Sequence, residues 1–256
     1  MTLPHARLAE AADQLTQQLA RLGSPKRAAW DRNYLHSDLT HLGIAIPDLR
    51  RTVTAARRAL PSLTRPDILT LAGIPWSDDV YEHRQAAAHL LTQHTRLLTP
   101  ADLQIIEAML RTAHTWALVD TIAVHAAGVI ALRHPDDTGP VLDRWATDHD
   151  MWLRRSALLT LLRGIRAGNP DLNRLDHYAD AMLDERGFFI RKAIGWTLRE
   201  TSRRNDRFVT AWIEDRLDRT SGVTLREAVR HLPAQDANRL TAAHRTARQA
   251  RPSARP

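Results

Sequence analysis

Three blocks of the 256-residue sequence carry residue types that can do chemistry together. In Thr115-Trp116-Ala117-Leu118-Val119-Asp120 an acid follows a tryptophan by four positions, so on a helix both side chains share a face. An acid followed by Thr121, Ile122, Ala123 and Val124 sits on a largely apolar helix. Buried and unpaired there it costs several kcal/mol, so it is either ion-paired, with Arg155 as a candidate partner, or turned to a groove. In Trp152-Leu153-Arg154-Arg155, Arg155 follows its tryptophan by three, and Arg154 is turned away by about 100°. The third block, Phe188-Phe189-Ile190-Arg191-Lys192-Ala193-Ile194-Gly195-Trp196, adds two cations and a tryptophan one turn beyond Lys192. Arginine forks suit phosphate oxygens, which points the cationic members toward a polyanion.

The elements that must position these residues repeat. The aromatics at 116, 152 and 188 are 36 residues apart, and an Arg-x-Ala signature recurs at Arg84-Gln85-Ala86, Arg155-Ser156-Ala157, Arg191-Lys192-Ala193 and Arg226-Glu227-Ala228. The expected slot between Arg84 and Arg155 reads Val119-Asp120-Thr121, so a lone acid interrupts a row of basic residues. A fixed period in the thirties with helical patterning marks a solenoid of stacked helix pairs, about five to six for this length.

The patterning predicts helices over 4–22, from after Pro25 with Trp30 and Tyr34, and over 49–60, 67–73 and 78–92. Pro75-Trp76-Ser77 reads as a turn, and Thr99-Pro100-Ala101-Asp102 as a helix start. Further helices are predicted from Trp116 to about Leu132, over 141–147 after Gly139-Pro140, and over 152–163, 172–183, 188–202, 206–217 and 224–232. After Pro233 the tail carries Arg239, Arg245, Arg248, Arg251 and Arg255, and a single helix that frays is expected. No alternating β-branched run is present, so the expected fold class is all-α, without an internal linker marking a boundary. The expected organisation is an N-terminal helix over 1–24, a repeat domain over 25–233 and a basic tail over 234–256.

Composition narrows the partners. The net charge is +7, and of the 36 Lys and Arg only Lys26 and Lys192 are lysines, which favours a polyanionic partner. The absence of cysteine excludes disulfides and thiolate metal sites and suits a reducing cytoplasm. No stretch reaches the roughly 20 apolar residues needed to span a bilayer, and the first residues lack a secretory signal core. There is no Gly-rich phosphate loop, Gly-x-Ser-x-Gly elbow or His-Glu-x-x-His helix. His134-Pro135-Asp136-Asp137 and Asp148-His149-Asp150 hold metal-ligand types but read as helix caps, so neither metal nor cofactor is expected.

Taken together, the three blocks resemble the AlkD-type DNA alkylation repair family, over about residues 25–233 and including Tyr34-Leu35 and Gly43-Ile44-x-x-Pro47. The resemblance implies HEAT-like helix pairs around a concave basic groove and a glycosylase acting, as a monomer, on duplex DNA with alkylated purines. It places the catalytic acid at Asp120, the cation-contacting tryptophans at Trp116 and Trp196, and the phosphate grip at Arg155 or its neighbour Arg154. Tyr34 matches an aromatic near the same groove, and Arg191 and Lys192 join the expected DNA-binding set. It further implies excision without base flipping, tolerance of bulky adducts, and a cytoplasmic protein found on the nucleoid when bound. The alternative is a non-catalytic DNA-binding repeat protein in which Asp120 closes an ion pair.

Overall fold

A computed structural model describes residues 2–60 and 62–249, apart from the side chain of Arg248. Arg251 and Arg255 of the expected basic tail lie outside the described residues. The chain divides into two compact units, residues 1–138 and 139–256. Among the described residues there is no strand; extended pairing amounts to one isolated bridge between Thr40 and Val80.

In the first unit the helices are α1 (His5–Ala20), α2 (Pro25–Leu35), α3 (Ile46–Arg58), α4 (Arg65–Trp76), α5 (Tyr81–Gln93), α6 (Leu103–Arg111), α7 (Trp116–Ile122) and α8 (Gly128–Arg133). α1 buries Leu8, Ala12, Leu15 and Leu19 and packs on α3 and α4. Each buried leucine contributes about 1.5–3 kcal/mol, so this helix is packed into the unit's core. The turn before α3 is tied to α5. The buried Glu82 carboxylate accepts the main-chain N–H groups of Leu42, Gly43 and Ile44 at 2.8, 2.7 and 3.3 Å. Gly43 has φ 78°, and a Cβ there would lie 2.3 Å from main-chain atoms of Ser24 and Ala28, so no other residue fits.

Two expected boundaries move. α4 runs through Pro75 to Trp76, where a turn was predicted, because the Trp76 indole donates to Thr112 Oγ1 at 3.0 Å and holds the last helical turn. α5 begins at Tyr81 rather than 78, since the Arg84 guanidinium holds the Asp78 carbonyl and the Asp79 carboxylate outside the helix. The start at Thr99 is a capping box with Asp102, entering α6 through a 3-10 turn. α7 passes through a π-helical turn, Ala123–Ala127, into α8. This 18-residue run, Trp116–Arg133, has mean hydropathy 1.4, the length and composition of a membrane span, but half of it is buried within the fold, as in a core helix.

α9 (Pro135–Ala146) contains the division between the units. It includes Gly139 and Pro140, which were predicted to introduce a later helix; Pro135 takes the first position and Thr138 Oγ1 donates back to the His134 carbonyl at 2.8 Å. The second unit continues with α10 (Met151–Thr160), α11 (Leu162–Ala167), α12 (Leu172–Ala181), α13 (Phe188–Ser202), α14 (Asp206–Glu214), α15 (Gly222–Ala228) and α16 (Ala234–Gln249). Asp150, Asp171, Asn205 and Ser221 cap α10, α12, α14 and α15 through their side chains. α10, α13 and α15 pack in succession, and α12, α14 and α16 form the row behind them. α13 and α15 approach closely because residue 195 is glycine; a Cβ would meet Glu227 Cβ at 2.6 Å and the Thr224 carbonyl at 2.8 Å. α16 is docked, burying Leu240 and His244, whose Nε2 lies 2.8 Å from the Thr220 carbonyl. The division at 138/139 falls inside the repeat span expected over 25–233.

Candidate functional site

In the first unit the candidate residues stand on α2 and α7. Two contacts bring the start of α7 to the exit of α2. Thr115 Oγ1 donates to the Leu35 carbonyl at 3.3 Å, and His114, at φ 58°, places Nδ1 3.2 Å from an Asp38 carboxylate oxygen. A non-glycine residue in the left-handed region is held there by its surroundings, here by this junction. The junction sets Trp116 edge-on against Tyr34, with centroids 5.8 Å apart, and Tyr34 stacks on Trp30 at 4.9 Å and 11°. The structure thus brings Tyr34 and Trp116 together. It adds Trp30, which the sequence reading placed on α2 without a role.

Asp120 lies one helical turn beyond Trp116 and is half-buried, just before the π-helical turn. Such turns widen a helix locally and occur often at functional sites.

In the second unit Trp152 packs on Phe189 at 5.1 Å, and Phe188 stands edge-on to Phe189 at 5.5 Å, itself 57% exposed. Arg155 is only 2% exposed. Its guanidinium donates to the Phe189 carbonyl and lies 5.8 Å from the Phe189 ring centre, so it fastens the first turn of α13. Arg154 is a clamp as well. Nε and Nη2 hold Glu185 bidentately at 2.8 Å each, and Nη1 donates to the carbonyls of Asp148 and His149 at 2.7 and 2.9 Å. In this structure the Arg154 fork serves Glu185 and two carbonyls.

The same device recurs along the chain. Arg84 Nε donates to the Asp78 carbonyl, Arg154 Nη1 to Asp148 and Arg191 Nε to Glu185, at 2.8, 2.7 and 2.8 Å, each to a carbonyl six residues earlier. These arginines close the loop that enters their own helix. Arg84 and Arg155 also reach forward, to the carbonyls of Thr112 and Phe189. At Arg84 and Arg155 the repeat signature therefore marks a clasp to the carbonyl of a following element. An arginine so used meets buried main-chain acceptors that would otherwise cost about 1–3 kcal/mol each.

Lys192 pairs with the buried Glu227 carboxylate, which also takes Arg199 and, at 3.2 Å, Arg230. Burial works to raise the Glu227 carboxyl, but these three cations outweigh it and hold it below the usual glutamate range. Trp196 is half-buried; the Arg166 guanidinium lies 5.8 Å from its ring centre, and its indole N–H is buried without a hydrogen-bond partner. Trp196 thus already carries a cation on its ring, that of Arg166. Arg226 is exposed.

Sequence reasoning missed Trp30 and Glu227. For Trp30 the available signal was its spacing of four from Tyr34 on a helix that buries only Asp31 and Leu35. For Glu227 it was an acid inside the Arg-x-Ala signature itself.

A family profile described as DNA alkylation repair enzyme matches residues 15–232. Among solved structures the chain is similar to one described as "Predicted DNA alkylation repair enzyme from Enterococcus faecalis", at 20% identity and TM-score 0.74, over 83% of this chain and 97% of that one. It is similar to AlkD2 from Streptococcus mutans at 16% identity and TM-score 0.58, over 86% of this chain and all of that one (100%). A third, smu.31 from Streptococcus mutans UA159, has 15% identity, TM-score 0.57 and coverage of 86% and 100%. No curated protein matches the chain. At such identities the solved structures speak for the fold, that of helical repeat proteins, while the profile spans most of the sequence. By that profile, the chain belongs to the DNA alkylation repair enzyme family.

Proposed function

We propose that the protein hydrolyses the N-glycosidic bond of cationic N3- or N7-alkylated purines in duplex DNA. The observation that carries this reading is Asp120, a half-buried carboxylate one turn from Trp116 and its aromatic neighbours, in a chain of the DNA alkylation repair family. An alkylated purine is already positively charged, so it departs without a general acid. The sugar left behind develops oxocarbenium character, the charge type met in glycoside hydrolysis. Asp120 stabilises that cation and orients the attacking water, and the faces of Trp116 and Trp196 add cation–π attraction. Arg155 or its neighbour Arg154 contacts a backbone phosphate, with Arg191 and Lys192 in the same DNA-binding set and the lesion acted on without being flipped into a pocket. No metal or cofactor is required by this chemistry.

Release of free alkylpurine from methylated duplex DNA tests the reading. Wild-type protein should release the base and leave an abasic site, and Asp120→Asn should be slower by roughly ten- to a thousandfold while still binding DNA. Wild-type protein that binds methylated DNA and releases nothing would make it a non-catalytic DNA-binding repeat protein.

A further inference from the structure

α2 is an 11-residue helix that buries only Asp31 and Leu35, yet it carries two of the largest exposed apolar side chains in the molecule. Trp30 is 59% exposed and Tyr34 54% exposed. Their rings lie parallel at 4.9 Å, so Tyr34 covers one side of the indole and is itself braced by the edge of Trp116 at 5.8 Å. Stacking on each other has not buried them. Two rigid rings braced in register and left open to solvent form a binding surface. The same helix face carries the exposed Lys26 one turn before Trp30 and the exposed Asn33 one turn after it. Arg27 is turned to an ion pair with Asp31 at 3.2 Å, which leaves Lys26 as the cation beside the indole.

We infer that Trp30 is a stacking platform for an unpaired nucleobase, whose adjoining phosphate is met by Lys26. The inference rests on the proposal that DNA is the partner, and it adds a residue and a DNA state to it. A π-face flanked by a cation at helical spacing is the arrangement that holds unstacked bases, because every base has a face and a neighbouring phosphate. A base within an intact duplex has both faces covered and cannot use it. The protein therefore distinguishes DNA with an unpaired nucleotide from fully paired DNA, independently of alkylation.

The full-length protein would be titrated with an unmodified duplex carrying one bulged purine and with the same duplex fully paired. Wild type should prefer the bulged DNA, and Trp30→Ala should lose roughly tenfold in affinity for it while changing on paired DNA by about twofold or less. Trp30→Phe should keep most of the preference and Trp30→Leu should lose it, since a π-face is needed and apolar bulk is not enough. Melting temperatures of these surface variants should stay near wild type; if the alanine variant melts early, the phenylalanine and leucine pair decides the matter. Equal preference in wild type and Trp30→Leu would overturn the inference, as would a Trp30-dependent dimer in sedimentation, which would assign the face to a second copy. Excision from methylated DNA, read in parallel, separates the two ideas. Preference for the bulge without excision would sink the glycosylase chemistry and leave the platform, whereas excision without Trp30-dependent preference would sink the platform alone.

Discussion

α5, α10 and α13 differ from α7 in how each is entered. The first three carry Arg84, Arg154 and Arg191, each closing its entry loop by a bond to the carbonyl six residues earlier. α7 is entered through His114 at positive φ and the Thr115 hydroxyl on Leu35, and where the repeat signature has arginine it has Asp120. An arginine at the start of α5, α10 and α13 is thus a structural part, and at α7 the entry loop is held by other atoms. A position relieved of that work can hold an acid. The arginine excess is accordingly less available to a polyanion than the +7 charge suggests. Behind the α10–α13–α15 row, Arg174, Arg216 and Arg219 each pair with two acids as well, Arg174 with Asp143 and Asp171.

The largest expected effect breaks a clasp. Arg84→Met should cost about 3–5 kcal/mol, because the carbonyls of Asp78 and Thr112 lose their donor while the aliphatic volume is kept. Denaturant titration measures it, and a loss below about 1 kcal/mol would show the arginine to be dispensable.

Asp120→Asn is the opposite experiment on the odd helix. The excision loss of roughly ten- to a thousandfold corresponds to about 1.4–4 kcal/mol of transition-state stabilisation, with little change in melting temperature. Full activity with a collapsed melting temperature would return Asp120 to the class of structural groups, beside Arg84.

Arg155 stands between the two classes. It fastens the Phe189 carbonyl, and the proposed chemistry also gives it a phosphate. Arg155→Ala should therefore cost about 2 kcal/mol of stability. It should also weaken duplex binding alike for all sequences, lowering the slope of log affinity against log salt by about one. A changed melting temperature with an unchanged salt slope would leave Arg155 a clasp only.

These distinctions bear on what a sequence can disclose. The predicted helix over 188–202 matches α13 at both ends, because Ile190, Ala193, Ile194 and Leu198 repeat at three and four residues and are all buried. The all-α class and the caps at Thr99 and Asp150 were legible for the same reason: they are local signals. The arginine clasps were not legible, since their acceptors are main-chain carbonyls, which have no residue type. The docking of α1 and α16 depends on partners far along the chain, and for α16 it is carried by few residues, Leu240 and His244. At the candidate site, resemblance alone set Tyr34 near the groove of Trp116, and their edge contact was not expected. Spacing could not show it, because the contact depends on the loop geometry of His114 and Thr115.

Lowering pH separates α5 from α13 by a smaller amount. Arginine clasps keep their charge at any pH a folded protein meets, but α5 also buries His89, 7% exposed, which sits 3.4 Å from the Gln85 amide. Burial, with help from Arg50 and His125, pushes the His89 imidazole down to about 4. A histidine with a depressed folded value favours the fold when neutral. Its contribution is complete above the unfolded value near 6.5 and is lost as pH falls toward about 4. At pH 5 the loss comes to about 2 kcal/mol. His41 adds to it in the same direction, since burial lowers its imidazole too and neither of its ring nitrogens has a hydrogen-bond partner. Hydrogen exchange at pH 7 and pH 5 should therefore show α5 amides losing protection, while α13, held at Arg191 and at Glu227, whose cations keep its carboxyl below the usual glutamate range, keeps its own at both. His89→Gln should flatten the response of α5 between those two pH values. If the substituted protein loses α5 protection as steeply as wild type, the titrating group lies elsewhere in the unit.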